Sequence, residues 1–153
     1  MKKINIKSIL SILATKFTLF LTKTILKGGT TFPGRVALKL DNNILATVSK
    51  GYKVVLVTGT NGKTTTTSLV GEIFKTANIK SKVVGNIGVG MLWEIFNSDE
   101  ETVNIIEVSS FQLHNIEKFK PFIASIGNIT PDHIDWHGSF ENYIAVSYTH
   151  LTL

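Results

Sequence analysis

Apolar positions follow two rhythms along this chain. The first is a broken series near the start, made of Ile9, Leu10, Ile12, Leu13, Phe17, Leu19, Phe20, Leu21, Ile25 and Leu26, and interrupted by Lys16 and Lys23. With Lys27, the lysines recur at intervals of seven and four, which gathers them towards one side of a helix. The segment therefore predicts an amphipathic helix over 9–27, packed on the domain with a solvated basic face or docked on a membrane surface or partner. Gly28-Gly29 stop that helix, and Phe32-Pro33-Gly34 predicts a turn. Residues 35–50 are weakly patterned; the expectation is a short strand Val36–Leu40 followed by a short helical or irregular stretch.

The second rhythm begins at Tyr52. Val54-Val55-Leu56-Val57, Lys82-Val83-Val84, Val103-Asn104-Ile105-Ile106-Glu107-Val108 and Phe122-Ile123-Ala124-Ser125-Ile126 are short apolar runs that read as strands. Between them, residues 66–77 and 89–97 read as helices. Short apolar strands alternating with helices predict an α/β fold with a mostly parallel sheet covered on both faces, and ligands gathered at the carboxyl ends of its strands.

Composition bounds what such a fold can hold. At 153 residues, 43% of them apolar, the chain can bury one sizeable core, and a multidomain enzyme would be present only in part. The absence of cysteine excludes disulfides, thiolate nucleophiles and cysteine-ligated metals, and it agrees with a cytoplasmic protein. The net charge of +5 conceals a division: residues 1–57 hold ten Lys and Arg against one acidic residue, whereas residues 58–153 hold six against ten. A uniform nucleic-acid-binding surface does not predict that split, but a basic segment lying on anionic lipid or an acidic partner does. Lys16 and Lys23 leave no apolar run long enough for a transmembrane span, and no cleavage signature follows an uninterrupted apolar core.

The chemistry concentrates after the strand at 54–57. Thr58-Gly59-Thr60-Asn61-Gly62-Lys63-Thr64-Thr65 stands between that strand and a helix, the order that makes an anion site. Glycines let the backbone turn and present amide donors, the helix start aims more of them at the same point, and Lys63 adds a mobile positive charge. The hydroxyl of Thr64 or Thr65 can hold magnesium. The loop departs from the common P-loop spacing, because Val57 occupies the position five before Gly62. Gly59 to Thr65 together predict a nucleoside triphosphate site.

Glu107 lies late in an otherwise apolar strand, where an unpaired carboxylate is costly and magnesium or a basic partner would answer it. Ser109, Ser110 and Gln112 follow, able either to orient a substrate or to satisfy the backbone of the next turn. Asp132, His133, Asp135 and His137 place two carboxylates and two imidazoles within six positions. His133 could ligate a metal or donate to phosphate, and Asp132 and Asp135 could instead cap the next helix. His114 and His150 lack comparable company and read as surface residues.

These strings together resemble the Mur ligase family, ATP-dependent enzymes of peptidoglycan precursor synthesis in the cytoplasm. Thr58 to Thr67 is similar to the family's phosphate loop. Gly85-Asn86-Ile87-Gly88, Glu107-Val108-Ser109-Ser110-Phe111-Gln112-Leu113 and Asn128 to Asp135 resemble its D-glutamate-adding branch, the likeness covering residues 52–146. The resemblance implies an incomplete central ATPase domain of P-loop type, preceded by the amphipathic helix. It further implies that Lys63 contacts the ATP phosphates, that Thr64, Glu107 and His133 hold magnesium, and that Asn86, Ser109 and Gln112 face the substrate. The implied substrates are nucleotide-linked muramoyl-alanine and D-glutamate.

Three departures accompany it. No counterpart of the family's carboxyl-terminal, amino-acid-presenting domain follows, so an inactive fragment is expected. Residues 28–45 resemble instead the Mur-ligase-like subunit of lipid II isoglutaminyl synthase, which works with a glutaminase subunit, although that subunit's cysteine cluster is absent; a composite chain joined near the phosphate loop is one expectation. Ser147 stands where the family has a lysine, often carbamylated. The expected organisation is thus a helix and linker over 1–50, a partial ATP-binding domain over 51–146, and a tail of truncation or artefact over 147–153.

Overall fold

A computed structural model describes residues 6–24, 31–86 and 91–149. In chain order the elements are α1 (Ile6–Thr24), α2 (Thr31–Leu40), α3 (Ile44–Ser49), β1 (Val54–Thr58), α4 (Lys63–Thr76), β2 (Ser81–Gly85), α5 (Met91–Phe96), β3 (Val103–Glu107), α6 (Ser110–Leu113), β4 (Ile123–Ile126), α7 (Ile134–His137) and α8 (Phe140–Thr149). The strands form one sheet in the order β2-β3-β1-β4. Every pairing is parallel, with Val57 beside Glu107 and Ser125, and Glu107 beside Gly85. This is the α/β architecture that the short apolar strands predict.

The alternation of side chains along the strands divides the core in two. Val54, Leu56, Val84 and Ile106 point to one face, where they pack with Ile44, Leu45 and Val48 of α3 and Leu92 and Ile95 of α5. Val55 and Ile105 point to the other face, against Val70 and Phe74 of α4. Leu56, Ile105 and Ile106 are fully buried, and each contributes about 1.5–3 kcal/mol by leaving water. Gly71 lets α4 approach the sheet closely, since a Cβ there would meet Val83 Cγ2 at 2.5 Å.

The chain before β1 differs from its sequence pattern. Residues expected as a turn at 32–34 and a strand at 36–40 form the single helix α2. Pro33 is tolerated because it lies in the first turn, where its missing N–H has no intrahelical role. Ala37 and Leu38 are buried, and α2 packs along α1. α4 begins at Lys63, three residues before the expected start, so the lysine and threonines belong to the helix itself. The expected helix at 89–97 is α5; Gly28-Gly29, Ile87-Gly88 and residues 25–27 and 150–153 lie outside the described residues.

α1 confirms the expected helix but presents the other face. Ser8, Ser11, Ile12 and Thr15 are buried, while Leu10, Leu13 and Phe17 are exposed. Hydrogen bonding accounts for the inward polar face. Ser8 Oγ donates to Asp41 Oδ2 at 2.7 Å and Ser11 Oγ to the Ala37 carbonyl at 2.9 Å. Lys16 is exposed, with its Nζ 4.5 Å from the ring centre of Trp93 on α5. Among the described residues, no helix is long and apolar enough to cross a membrane.

Candidate functional site

The carboxyl ends of β1, β3 and β4 lie side by side, and the segments leaving them form one constellation. β1 delivers the Gly59–Thr65 loop and the start of α4. Gly62 occupies the N-cap of α4 in the left-handed region, with φ of 77°, and no side chain caps the helix. The first-turn amides of α4 therefore keep donors that a phosphate can use. Thr66 N–H is the first to turn inward, bonding the Gly62 carbonyl at 2.9 Å.

The loop is clamped from the β4 side. Thr60 N–H donates to the Asn128 carbonyl, and Asn61 N–H to Asn128 Oδ1, both at 2.9 Å. Asn128 Nδ2 returns a bond of 3.2 Å to the Asn61 carbonyl. Thr60 Oγ1 accepts from Thr130 N–H at 3.0 Å, and lies 3.2 Å from the Thr130 carbonyl and 2.8 Å from the Tyr143 hydroxyl of α8. The Thr60 and Asn61 amides are thus committed to the protein, and the donors left for an anion move towards the helix start. Gly59 has φ of 126°, and a Cβ there would meet the Asn128 carbonyl oxygen at 2.8 Å, so the clamp requires glycine.

Lys63 is half-buried, and its ammonium donates to the Gly59 and Thr60 carbonyls at 2.9 and 2.8 Å. It holds the loop's own oxygens. Thr65 is exposed beside it, and Thr64 turns towards β3. Thr64 Oγ1 donates to Glu107 Oε2 at 2.9 Å. Glu107 is only 3% exposed at the end of β3, between the ends of β1 and β2. Gly85 makes room for it: with φ of 109°, any Cβ at that position would lie 2.2 Å from the Glu107 carbonyl oxygen. Asn86 N–H bonds that same carbonyl at 3.1 Å, whereas Asn86 Oδ1 is buried with no hydrogen-bond partner among the described residues.

The remaining expected residues occupy the neighbouring α6–α8 side. Gln112 Oε1 accepts from Ser109 N–H at 2.9 Å and from Ser109 Oγ at 3.1 Å, so these two side chains organise the start of α6. His133 precedes α7 with φ of 51°; its ring lies 4.6 Å from Phe111, and its Nε2 lies 3.5 Å from Asp132 Oδ2. Its contacts are therefore with Phe111 and Asp132 rather than with Thr64 or Glu107. Asp132 Oδ1 accepts His133 N–H, while Asp135 lies inside α7. His137 is buried, its Nε2 3.0 Å from Ser110 Oγ, and burial pushes its pKa down, with His114 and His133 adding to the effect. His114 is exposed and meets Trp136 edge-on at 5.0 Å. Ser147 is buried within α8, its hydroxyl bonded to the Tyr143 carbonyl at 3.1 Å. Among the described residues, no three His, Asp or Glu side chains converge into a metal cage.

Asn128 and Thr130 fall inside the string Asn128 to Asp135 but received no role of their own from the motif reading, and Tyr143 is a residue of the clamp that it did not single out. The sequence signal for Asn128 and Thr130 was their position directly after a strand. Only the β1–β4 pairing shows which loop they meet.

UDP-N-acetylmuramoylalanine–D-glutamate ligase of Alkaliphilus metalliredigens is 53% identical over 96 residues, covering 63% of this chain and 21% of the relative. The same-named enzyme of Thermoanaerobacter sp. strain X514 is 52% identical over 90 residues, or 59% and 20% of the two chains. That of Clostridioides difficile strain 630 is 49% identical over 109 residues, or 71% and 22%. The chain thus spans about a fifth of the length of the curated relatives it matches. The Mur ligase middle domain matches residues 57–149, which take in the phosphate-type loop, Glu107 and the clamp from β4 and α8, and the chain belongs to the Mur ligase family.

Proposed function

We propose that this chain carries the ATP- and magnesium-handling part of an amide ligase that joins D-glutamate to UDP-N-acetylmuramoyl-L-alanine in peptidoglycan precursor synthesis. The observation that carries the reading is the junction of Thr64 with buried Glu107 beside the uncapped start of α4. The similarity to D-glutamate ligases supplies the substrates. In this reading residues 51–146 form the ATP-handling unit, and residues 1–50 precede it and pack on its sheet through Ile44, Leu45 and Val48.

Each residue has a physical task. The α4 amides and Lys63 bind the phosphates and offset negative charge that shifts during transfer. Magnesium is commonly held by one or two carboxylates together with phosphate oxygens and water, and the donor set of Thr64 Oγ1 and Glu107 fits it. When bound, the ion would neutralise phosphate charge and orient the transferring group. Glu107, which accepts a hydrogen bond from the neutral Thr64 hydroxyl, is a buried carboxylate suited to such a cation. His133 is the third proposed ligand; because its Nε2 lies beside Asp132, substitution must decide its part. Asn86, with its unpartnered buried oxygen, is proposed to face a substrate donor, alongside Ser109 and Gln112. The reaction of the whole enzyme transfers the γ-phosphate of ATP to the substrate carboxylate; the D-glutamate amine then attacks that acyl phosphate, forming the amide and releasing phosphate.

The test is calorimetric titration of the 153-residue chain with ATP and magnesium. Binding should weaken on the order of tenfold or more in Lys63→Ala and in Glu107→Gln, the latter losing its magnesium dependence. No ATP binding by the unsubstituted chain, or variants that bind as tightly as it does, would overturn the reading. The string at 28–45 favours a second one, a subunit of an isoglutaminyl synthase; co-purification with a glutaminase subunit, lost on removal of that string, would select it.

A further inference from the structure

α1 is oriented against the usual rule for a helix packed on a domain. Its buried side is Ser8, Ser11, Ile12 and Thr15, and its outward side is apolar: Ile6 is 77% exposed, Leu10 59%, Leu13 56% and Phe17 63%, with Ile9 and Phe20 exposed as well. The spacing of 6, 10, 13, 17 and 20 places these residues on one stripe, about 21 Å long at the rise of an α-helix. Lys7 and Lys16, at about 100° per residue, fall on opposite borders of that stripe, and both are exposed. An apolar stripe of Ile, Leu and Phe bordered by lysines is the pattern of a helix lying in a membrane interface, where the lysine stems follow the apolar face and the ammonium groups reach the headgroups.

Charge selects the occupant. The first 57 residues contain ten Lys and Arg and a single acidic residue, Asp41, which is buried and held by Ser8. α1 itself carries no Asp or Glu, so a second copy laid on the stripe would set lysine against lysine with no carboxylate to answer it. An anionic surface meets no such repulsion. No described helix is long and apolar enough to cross a membrane.

We infer that α1 is a peripheral anchor that lays Ile6, Leu10, Leu13 and Phe17 into the interface of an anionic lipid bilayer, with Lys7 at the headgroups. The inference is independent of the nucleotide reading, since none of these residues belongs to the phosphate loop or its clamp.

Vesicle co-sedimentation of the 153-residue chain tests it, using phosphatidylcholine alone and phosphatidylcholine mixed with phosphatidylglycerol. The chain should pellet with the mixed vesicles, and neutral vesicles or high salt should reduce binding several-fold. Leu13→Gln with Phe17→Gln should lower the partition coefficient on the order of a hundredfold, and Lys7→Gln on the order of fivefold. An unchanged far-UV circular dichroism spectrum shows that the variants are folded; Leu13→Gln alone, expected to lose about tenfold, serves if the pair is not. No pelleting with the anionic vesicles overturns the inference, as does equal binding to both vesicle types. Light scattering that finds a dimer dispersed by Leu13→Gln, without vesicle binding, would assign the stripe to a second copy instead.

Discussion

Replacing Thr60 by Val keeps the shape of the side chain and removes one oxygen on which three separate segments converge. A threonine hydroxyl has one proton to give and two lone pairs to receive with. Its surroundings match that inventory: the Thr130 carbonyl accepts, and Thr130 N–H and the Tyr143 hydroxyl donate. Loss of the hydroxyl removes about 1 kcal/mol of net hydrogen bonding and strands the Tyr143 O–H, on a residue only 2% exposed, at about 1–2 kcal/mol more. Thr60→Val should therefore destabilise by about 2–3 kcal/mol. Tyr143→Phe should cost about 1 kcal/mol, because Thr60 retains both contacts with Thr130. In the double variant no tyrosine hydroxyl remains to be stranded, so its total should fall short of the sum of the singles by about 1 kcal/mol or more. Urea unfolding of the four proteins, followed by tryptophan fluorescence with equal m-values, measures that coupling. Additivity within about 0.3 kcal/mol would refute the clamp between α8 and the loop.

Three further outcomes follow from the geometry. Gly59→Ala should abolish ATP binding in calorimetry at a temperature where the chain is still folded by circular dichroism, because its Cβ would drive the loop away from Asn128. Asn128→Ala leaves the Asn61 N–H and carbonyl without their side-chain partner; hydrogen exchange at Asn61 should accelerate on the order of tenfold while amides of β1 keep their protection. Burial holds the His137 pKa below its ordinary 6.5, so the unfolded chain binds more protons at that group as pH falls. Its favourable contribution is present above about pH 6.5 and is lost as pH drops through the lowered folded value, so the thermal midpoint should fall on acidification and fall less steeply in His137→Gln.

The phosphate-type loop was legible because its chemistry is local. Gly59, Gly62, Lys63 and the following threonines lie on consecutive positions, and a strand before them and a helix after them fix the direction of the amides whatever the rest of the fold does. Glu107 was legible for a related reason: a carboxylate at the end of an apolar run has few ways of being tolerated. The parallel sheet also followed from local pattern, since short runs such as Val54-Val55-Leu56-Val57 and Ile105-Ile106 are apolar on both faces of a strand, which suits a sheet covered on both sides. Pro33 misled, because a proline reads equally as a turn and as the first turn of a helix, and α1 decided between them by packing along α2.

The amino-acid sequence by itself determined the strand–loop–helix unit, the parallel α/β class and the polar groups that the loop and the end of β3 carry. Each depends on neighbours within a few residues, where backbone conformation and hydrophobic period act directly. Tertiary structure alone decided two other things: that Asn128, Thr130 and Tyr143 hold the loop, and that α1 turns its apolar stripe outward. Those outcomes rest on pairings up to 83 positions apart, such as Thr60 with Tyr143, and on the choice of Ser8 and Ser11 to bond Asp41 and Ala37. A side chain's periodicity records that a face exists, and only the partner across the interface determines which face is covered.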